Sequence, residues 1–234
     1  FNNTKQARQS AEYMIGEAQT DIKGNRVGNS LIRIFEEVRS KGDAYTNEFF
    51  EYLLHMHNID RMAQNKPVFG ASVTAEDSRK IANQLLEKHP EFEKQANKVY
   101  AYNRNLMQWR VDSGLISKEQ ADLMNEMYPH YVPTFRDVSG TSGSRAMQNT
   151  VQIANTVRKA TGSNKNIMPI DASMARQTMQ TVQAAKRNLL GNRLLNDALN
   201  NKDKVGEYIQ AVEKTTDKAD LETDLDTPKD TNLI

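Results

Sequence analysis

The segment Tyr100–Arg136 contains two helical patterns. A stretch rich in aromatic residues and proline follows them, and we call this stretch the exit segment. Tyr100–Arg136 as a whole contains the only Trp of the chain, four of its eight Tyr and two of its six Pro. The pattern predicts a helix that ends at Gly114, a second helix capped by a serine, and a rigid extended exit. Large rings on a fixed backbone favour a structural hub on which other helices pack, and they do not indicate a catalytic site. The predicted hub residues are Trp109, Gly114, Ser117, Pro129, Tyr131 and Pro133.

Apolar residues recur every three or four positions along most of the chain, a period typical of amphipathic helices. Thr74 with Asp77, and Ser117 with Gln120, form predicted capping boxes at two helix starts. The predicted helices are an N-terminal one broken between Gly24 and Gly28, then 31–41, 44–63, 75–88, 91–113, 118–127, a weak one at 146–160, and 172–200. The sequence therefore predicts an all-α fold, an irregular helical bundle with extended loops. Tyr131–Phe135 and Ile167–Ile170 can pair as one small two-stranded element.

The distribution of apolar residues predicts three parts. Residues 1–30 form an N-terminal helical arm, residues 31–200 a helical core module, and residues 201–234 a polar, flexible C-terminal extension. The chain begins with Phe1 rather than Met, which predicts that it belongs to a longer protein.

Composition excludes several classes of function. There is no Cys, so neither a disulfide framework nor a thiolate metal site is expected. No apolar run approaches the roughly 20 residues that cross a bilayer, so no membrane span is predicted. The net charge of +1 gives no argument for or against nucleic acid. A hydrophobic content of 38% in 234 residues predicts an elongated or thin-cored helical protein, or one with disordered ends.

No group of residues has the spacing of a catalytic, cofactor or metal site. His55 and His57 lie two positions apart, about 200° around a helix, so they cannot bind one metal ion together. His130 has no nucleophile or carboxylate close to it in the sequence. A solvated helix face explains the acidic run of Glu119, Asp122 and Glu126. No catalytic residue, cofactor or metal is therefore predicted.

The most distinctive charge pattern is a basic segment at residues 158–193, which contains one acid, Asp171. Phosphate contacts need such a ridge of cations and no particular fold, although no aromatic residue is interleaved for base stacking. The glycine loop at residues 140–144 lacks the P-loop pattern. Gly162-Ser163 followed by Lys165 is a further candidate for phosphate contact, through backbone amides and the lysine, although such loops are common. An acidic partner, including the chain's own tail, is the other interpretation. The predicted nucleic-acid contacts are Arg158, Lys159, Lys165, Arg176, Lys186, Arg187 and Arg193.

The chain resembles a helical module of the large polyvalent proteins that phages and other mobile elements encode. The most specific likeness is the Gly-Leu-Ile-Ser…Tyr-Val-Pro spacing of Val111–Ser117 and Tyr128–Arg136. The family's Lys/Arg-rich run before Gly-Ser is reduced here to Arg158-Lys159. Further stretches extend the resemblance over residues 31–199: Phe50–Asp60, Ser72–Ile81, His89–Phe92 with Tyr100 and Asn103, Thr161–Ser163, Met168-Pro169, and a helix carrying Ala184, Ala185, Arg187, Asn188 and Arg193.

This resemblance implies a domain of a giant multidomain protein that travels with phage DNA into a new host. Such proteins join enzymatic and non-enzymatic modules, and this module is regarded as non-enzymatic, without catalytic residues. The implied location is the virion interior, or the host cytoplasm after injection. The implied partners are other phage proteins (portal, tail or internal proteins), and the oligomeric state stays open.

Three functions follow as expectations. The first is a non-enzymatic structural or interaction module of a virion-associated internal or ejected protein. The alternative is a nucleic-acid-binding module that acts through residues 158–193. A third is a hydrolase or nuclease that uses His130 with nearby carboxylates.

Overall fold

The computed structural model of the chain describes residues 2–69, 72–136 and 167–201. Helices dominate these ranges and one two-stranded sheet accompanies them, which confirms the predicted all-α fold with a small two-stranded element. The predicted helix 146–160 and the extension after residue 201 lie outside the described residues, and the three-part division stays a prediction. The described elements are α1 (Asn2–Gly16), β1 (Ala18–Thr20), β2 (Arg26–Asn29), α2 (Leu31–Arg39), α3 (Asp43–Ala63), α4 (Ala75–Lys88), α5 (Phe92–Asp112), α6 (Lys118–Met127) and α7 (Ile170–Asn200).

Side chains just before each helix explain where several helices begin. Both predicted capping boxes are present, Thr74 with Asp77 at α4 and Ser117 with Gln120 at α6. The hydroxyl of Ser30 accepts a backbone N–H of α2 in the same way. A cap of this kind satisfies N–H groups that have no partner inside the helix and stabilises it by about 1 kcal/mol.

The end of α5 fixes the direction of α6. Gly114 has a φ of 76°, in the left-handed region that favours glycine. Leu115 N–H donates to Arg110 O, and Gly114 N–H to Val111 O, each at 2.9 Å. This pair of bonds defines a Schellman motif, which closes the helix and turns the chain back.

The first thirty residues differ from the prediction of a broken helix. Instead of a helical pattern interrupted at Gly24, α1 ends at Gly16 and an antiparallel hairpin of β1 and β2 follows. Oδ1 of Asp21 accepts the N–H groups of Lys23 and Asn25 at 2.9 and 2.8 Å. Such a side chain offers the backbone a turn in competition with a helix. The strands are too short to show an alternating pattern in the sequence.

Helix α5 lies at the centre of the fold, where it packs against α2, α3, α6, α7 and β2. Helix α1 lies along α7, and α3 lies along α4. Met14 of α1 is fully buried in the same core as the other helices. The core residues that α5 contributes are Phe92, Ala96, Val99, Tyr100, Tyr102, Leu106 and Trp109.

An aromatic group closes one end of α5. The ring of Phe92 is fully buried and lies 5.2 Å from the ring of Phe49, 5.1 Å from Tyr45 and 5.7 Å from Tyr52. Two of these contacts are edge-to-face, an arrangement that aromatic quadrupoles favour. They join α3 to α5.

The pairing predicted between Tyr131–Phe135 and Ile167–Ile170 is reduced to one antiparallel bridge, between Arg136 and Ile167. Beside it, Met168 N–H donates to Phe135 O at 2.8 Å. The two-stranded sheet is instead the hairpin of β1 and β2. None of the helices in the described ranges has the length and apolarity that a membrane crossing requires.

Candidate functional site

Tyr131 connects three helices. Its main-chain oxygen accepts a hydrogen bond from Nδ2 of Asn103 in α5 at 2.8 Å. Its hydroxyl accepts a hydrogen bond from Nε2 of Gln177 in α7 at 3.2 Å. Its ring meets the ring of His57 in α3 edge-on, with the centroids 5.3 Å apart. We call His57, Asn103, Arg110, Tyr131 and Gln177 the Tyr131 cluster.

The electrostatics of the Tyr131 cluster follow from burial. Burial lowers the pKa of His57 to about 3, and the nearby charges of Arg61 and His130 act in the same direction. Burial also lowers the pKa of Arg110 and raises the pKa of Tyr131, and each of these two groups partly offsets the other's shift. At neutral pH, His57 and Tyr131 are therefore neutral, while the guanidinium stays charged.

Several polar atoms of the cluster are buried without a hydrogen-bond partner: His57 Nδ1, Asn103 Oδ1, Arg110 Nε and Gln177 Oε1. They are four of the seven such atoms among the described residues. Because native proteins leave few buried polar groups unpaired, a concentration of them at one place marks a candidate binding site.

His130 pairs with a carboxylate that is remote in the sequence. Asp60 of α3 is 8% exposed; its Oδ1 lies 3.0 Å from His130 Nδ1, and its Oδ2 accepts the His130 backbone N–H at 2.8 Å. The ring of Tyr100 lies edge-on to His130 at 5.4 Å. The two contacts with Asp60 hold the exit segment on α3.

We expect Asp60→Ala to lower the free energy of unfolding by about 2–3 kcal/mol, because it removes both acceptors and leaves a part-buried N–H unpaired. Urea titration followed by circular dichroism measures this change. Asp122→Ala, at an exposed pair with Lys118, is the control and should change stability by at most about 0.5 kcal/mol. Equal effects of the two substitutions would contradict the assignment. Adding His130→Ala to Asp60→Ala should cost little more, since the two residues share one interaction.

A Ser–His contact lies between α3 and α4. His55 Nδ1 is 3.2 Å from Ser78 Oγ, which also accepts Nδ2 of Asn58 at 2.8 Å, and Asn58 Oδ1 accepts the Val68 N–H at 2.7 Å. Ser78 and Asn58 have no exposed surface. A nucleophile must reach its substrate, so these bonds are structural and join α4 and the following loop to α3.

The described members of the basic segment differ in their surroundings. Arg176 lies over the ring of Phe135 at 4.6 Å, and Lys186 lies 6.0 Å from the ring of Trp109. Of the four described cations, the other two are exposed on α7, namely Arg187 and Arg193. Nucleic-acid contact stays a prediction, for which the described part of α7 offers these two side chains. The remaining predicted contacts, Arg158, Lys159 and Lys165, lie outside the described residues, as do both glycine loops.

The predicted hub residues differ in burial. Trp109 is 2% exposed, and its Nε1 donates to Thr20 O of the hairpin at 2.6 Å. Pro133 is buried beside the fully buried Val132, whereas Pro129 is exposed. The exit therefore turns at the surface and then enters the core.

The last part of α7 carries exposed leucines. Asn188 Nδ2 donates to Ser113 O at 2.7 Å, where α7 passes the end of α5. Beyond this contact, four leucines are between 36% and 51% exposed. We call them the α7 leucine surface: Leu189, Leu190, Leu194 and Leu199.

A second apolar surface is a groove of about 700 Å³ between α1, α2 and the start of α7. Ile15, Leu31 and Phe35 contribute to its lining. The ion pair of Arg39 and Asp171 lies at its edge. Its volume is in the range of small-molecule sites, and its lining is mainly apolar, with Glu36, Arg39, Ser40 and Asp171 as the polar members.

In the described ranges, no group of three or more His, Asp or Glu side chains could hold a metal ion. His55 and His57 point to different neighbours, Ser78 and Tyr131. Asp122 pairs with Lys118 on the exposed side of α6.

Sequence reasoning missed the Tyr131 cluster and the carboxylate of Asp60. A signal for part of the cluster exists, because Asn103 and Arg110 stand seven positions apart, at the inward spacing of Leu106 and Met107. A charged side chain on the buried face of an amphipathic helix indicates that polar groups lie in the interior beside it. The pairing of Asp60 with His130 has no local signal.

No protein-family model, curated protein or solved structure matches this chain.

Proposed function

We propose that the chain is a non-enzymatic interaction module that binds a partner protein through the α7 leucine surface. The observation that carries this proposal is the exposure of Leu189, Leu190, Leu194 and Leu199, each by more than a third. Clustered exposed apolar side chains are a common property of protein–protein contacts. Leu189, Leu190 and Leu194 fall within about 140° of the circumference of α7, because successive helical residues are about 100° apart. These three form an apolar stripe that is suited to a groove or a second helix of the partner.

The proposal that the chain is non-enzymatic is supported by the contacts of the side chains that are suited to catalysis. Ser78 and His55 are buried and join two helices, and His130 and Asp60 bind each other. Each of these groups has a structural role in its contacts.

We propose that the chain works in a phage particle, because its sequence resembles polyvalent phage proteins. In that setting the partner is another phage protein, and the chain is packaged in the virion and delivered with the DNA. Mass spectrometry of purified particles is the test, with peptides of this chain expected among the internal proteins. Detection only in infected-cell fractions, and never in particles, would contradict packaging.

We expect a partner to be captured specifically at the α7 leucine surface. A photo-crosslinking amino acid placed at Leu194 of the whole parent protein, in its native cell, should give one discrete adduct. The same amino acid at Val27, which is 45% exposed in the hairpin, is the matched control and should not give that adduct. Adducts that are identical at the two positions, or absent at both, would contradict the proposal.

Once the partner is purified, charged substitutions measure the contribution of the surface. Leu190→Glu and Leu194→Glu should each weaken binding by about tenfold or more, because they place a charge in an apolar contact. Val27→Glu should leave affinity unchanged. Circular dichroism should show that all three variants stay folded. Unchanged affinity in both leucine variants would contradict the proposed surface.

A further inference from the structure

The groove between α1, α2 and the start of α7 has the size and the lining of a small-molecule site. Its volume is about 700 Å³, and such sites occupy roughly 300–1,000 Å³. Small-molecule sites are mostly apolar, with a few polar groups that orient the ligand. The apolar side chains that matter here come from all three helices and the residue before α7: Ile15, Leu31, Ile32, Phe35, Pro169 and Ala175.

Ile32 leaves apolar surface uncovered in this groove. Its side chain is 56% exposed, which is the highest exposure among the large apolar side chains of the described residues. Its neighbours in the lining, Leu31 and Phe35, are only 3% and 2% exposed. An apolar group that covers Ile32 removes this surface from water, which is favourable. The lining therefore suits a ligand with an apolar body.

Three of the four polar side chains in the lining already have partners. Oδ2 of Asp171 accepts hydrogen bonds from Arg39 Nε at 3.0 Å and from Arg39 Nη2. Oδ1 of Asp171 accepts the Ala172 N–H at 2.8 Å. The hydroxyl of Ser40 donates to Glu37 O at 3.0 Å. Because the charges of Arg39 and Asp171 offset each other, this ion pair gives the groove no net charge.

Glu36 is the fourth polar side chain of the lining, and its charge is not offset. Within residues 2–69, 72–136 and 167–201, no cation forms an ion pair with its carboxylate. Arg33, one turn earlier on α2, is not part of the lining. Opposite charges attract more strongly beside an apolar surface, where water screens them less. The groove therefore favours a ligand that carries a positive charge.

We infer that the groove binds a small cationic amphiphile, which is an ammonium group carried on an apolar chain or ring. The apolar body covers Ile32 and lies against Phe35 and Ala175, and the ammonium group donates to the carboxylate of Glu36. A ligand with a carboxylate is repelled by Glu36 and finds Arg39 already bound to Asp171. The inference goes beyond the proposed function and is independent of the α7 leucine surface.

Three ligands with the same apolar body and different head groups test the charge preference: 4-phenylbutylamine, 4-phenylbutan-1-ol and 4-phenylbutanoate. Ligand-observed NMR titrations of the whole chain, at neutral pH and low ionic strength, measure the three dissociation constants. The amine should bind about three- to fivefold more tightly than the alcohol, an effect typical of one part-exposed ion pair. It should bind about tenfold more tightly than the carboxylate, which also meets repulsion. Equal affinities for the three ligands, or no binding of any of them, would overturn the inference.

Substitutions of Glu36 locate the charge effect. Glu36→Gln should lose the preference for the amine over the alcohol, and Glu36→Lys should prefer the carboxylate. Glu87→Gln, at an exposed position of α4 that is not part of the lining, is the matched control and should keep the wild-type order. A preference for the amine that survives in Glu36→Gln would overturn the inference.

Two further variants test the apolar part of the site. Ala175→Phe places a ring in the groove and should weaken the binding of all three ligands by about tenfold or more. Ile32→Ala, at an exposed position where folding is not at risk, should weaken all three by about threefold. Unchanged affinities in a folded Ala175→Phe variant, or in Ile32→Ala, would overturn the inference. Analytical ultracentrifugation provides a last test, because self-association of the wild type that Ala175→Phe abolishes would assign the groove to a second copy of the chain instead.

Discussion

Replacement of Trp109 with alanine should lower the free energy of unfolding by about 3–5 kcal/mol, an effect typical of a large aromatic residue lost from a core. The indole is 2% exposed in the centre of the fold. Its Nε1 donates to Thr20 O at 2.6 Å and so holds the hairpin on α5. Alanine removes both the packing and this hydrogen bond, and the cavity that remains adds to the cost.

A second substitution separates the two contributions. Trp109→Phe keeps most of the apolar contact but leaves the buried oxygen of Thr20 without its donor, so its cost should be about 1–3 kcal/mol. Tyr13→Ala, at a position that is 50% exposed on α1, is the control and should change stability by at most about 0.5 kcal/mol. Urea titrations should be followed by circular dichroism, because both variants lose the only Trp. A Trp109→Ala variant as stable as the control would contradict the central position of this ring.

Mild acid should destabilise the fold through His57. Burial holds the pKa of His57 at about 3, compared with an ordinary value of 6.5, so between these limits only the unfolded chain takes up the proton. Stability from this group is therefore fully present above pH 6.5 and is lost as pH falls, by about 1.4 kcal/mol per pH unit. His55, whose pKa burial also lowers, adds to the same trend.

His57→Phe should remove the His57 part of this dependence and leave the part that His55 contributes, because phenylalanine keeps a ring against Tyr131 and cannot titrate. The measurement is the free energy of unfolding between pH 6.5 and 5, where carboxylates contribute little. Glu91→Gln is the contrasting control. Hydrogen bonds from Lys41 and Tyr45 help to lower the pKa of Glu91 from 4.5 to about 2, so its stabilisation is present above pH 4.5 and is lost only as pH falls below it. An unchanged slope in His57→Phe above pH 5 would contradict the assignment.

The features that sequence reasoning predicted correctly are local ones. The capping boxes at Thr74 and Ser117 and the stop at Gly114 depend on residues within one turn of each other, so their pattern is visible in the sequence. The hairpin was missed because a single side chain, Asp21, organises its turn and its strands are only three and four residues long.

The candidate site could be predicted only in part, because it depends on contacts between distant elements. Asp60 and His130 are separated by seventy positions, and nothing near either residue specifies the other. In the Tyr131 cluster, Gln177 lies 46 positions beyond the tyrosine whose hydroxyl it binds. The inward position of Arg110 on α5 is visible from helical spacing, but its bond to Thr181 of α7 becomes evident only in three dimensions.

The packing of α1 along α7 has a consequence for the timing of folding during synthesis. The first helix cannot reach its final place until the last described helix has been made, which at ordinary translation rates takes about 10 s or more. Throughout that interval the apolar side of α1, with Ala11 and Met14, lacks its partner. Chaperones that hold nascent chains therefore have a defined apolar segment to bind in α1 until α7 has been made and packs against it.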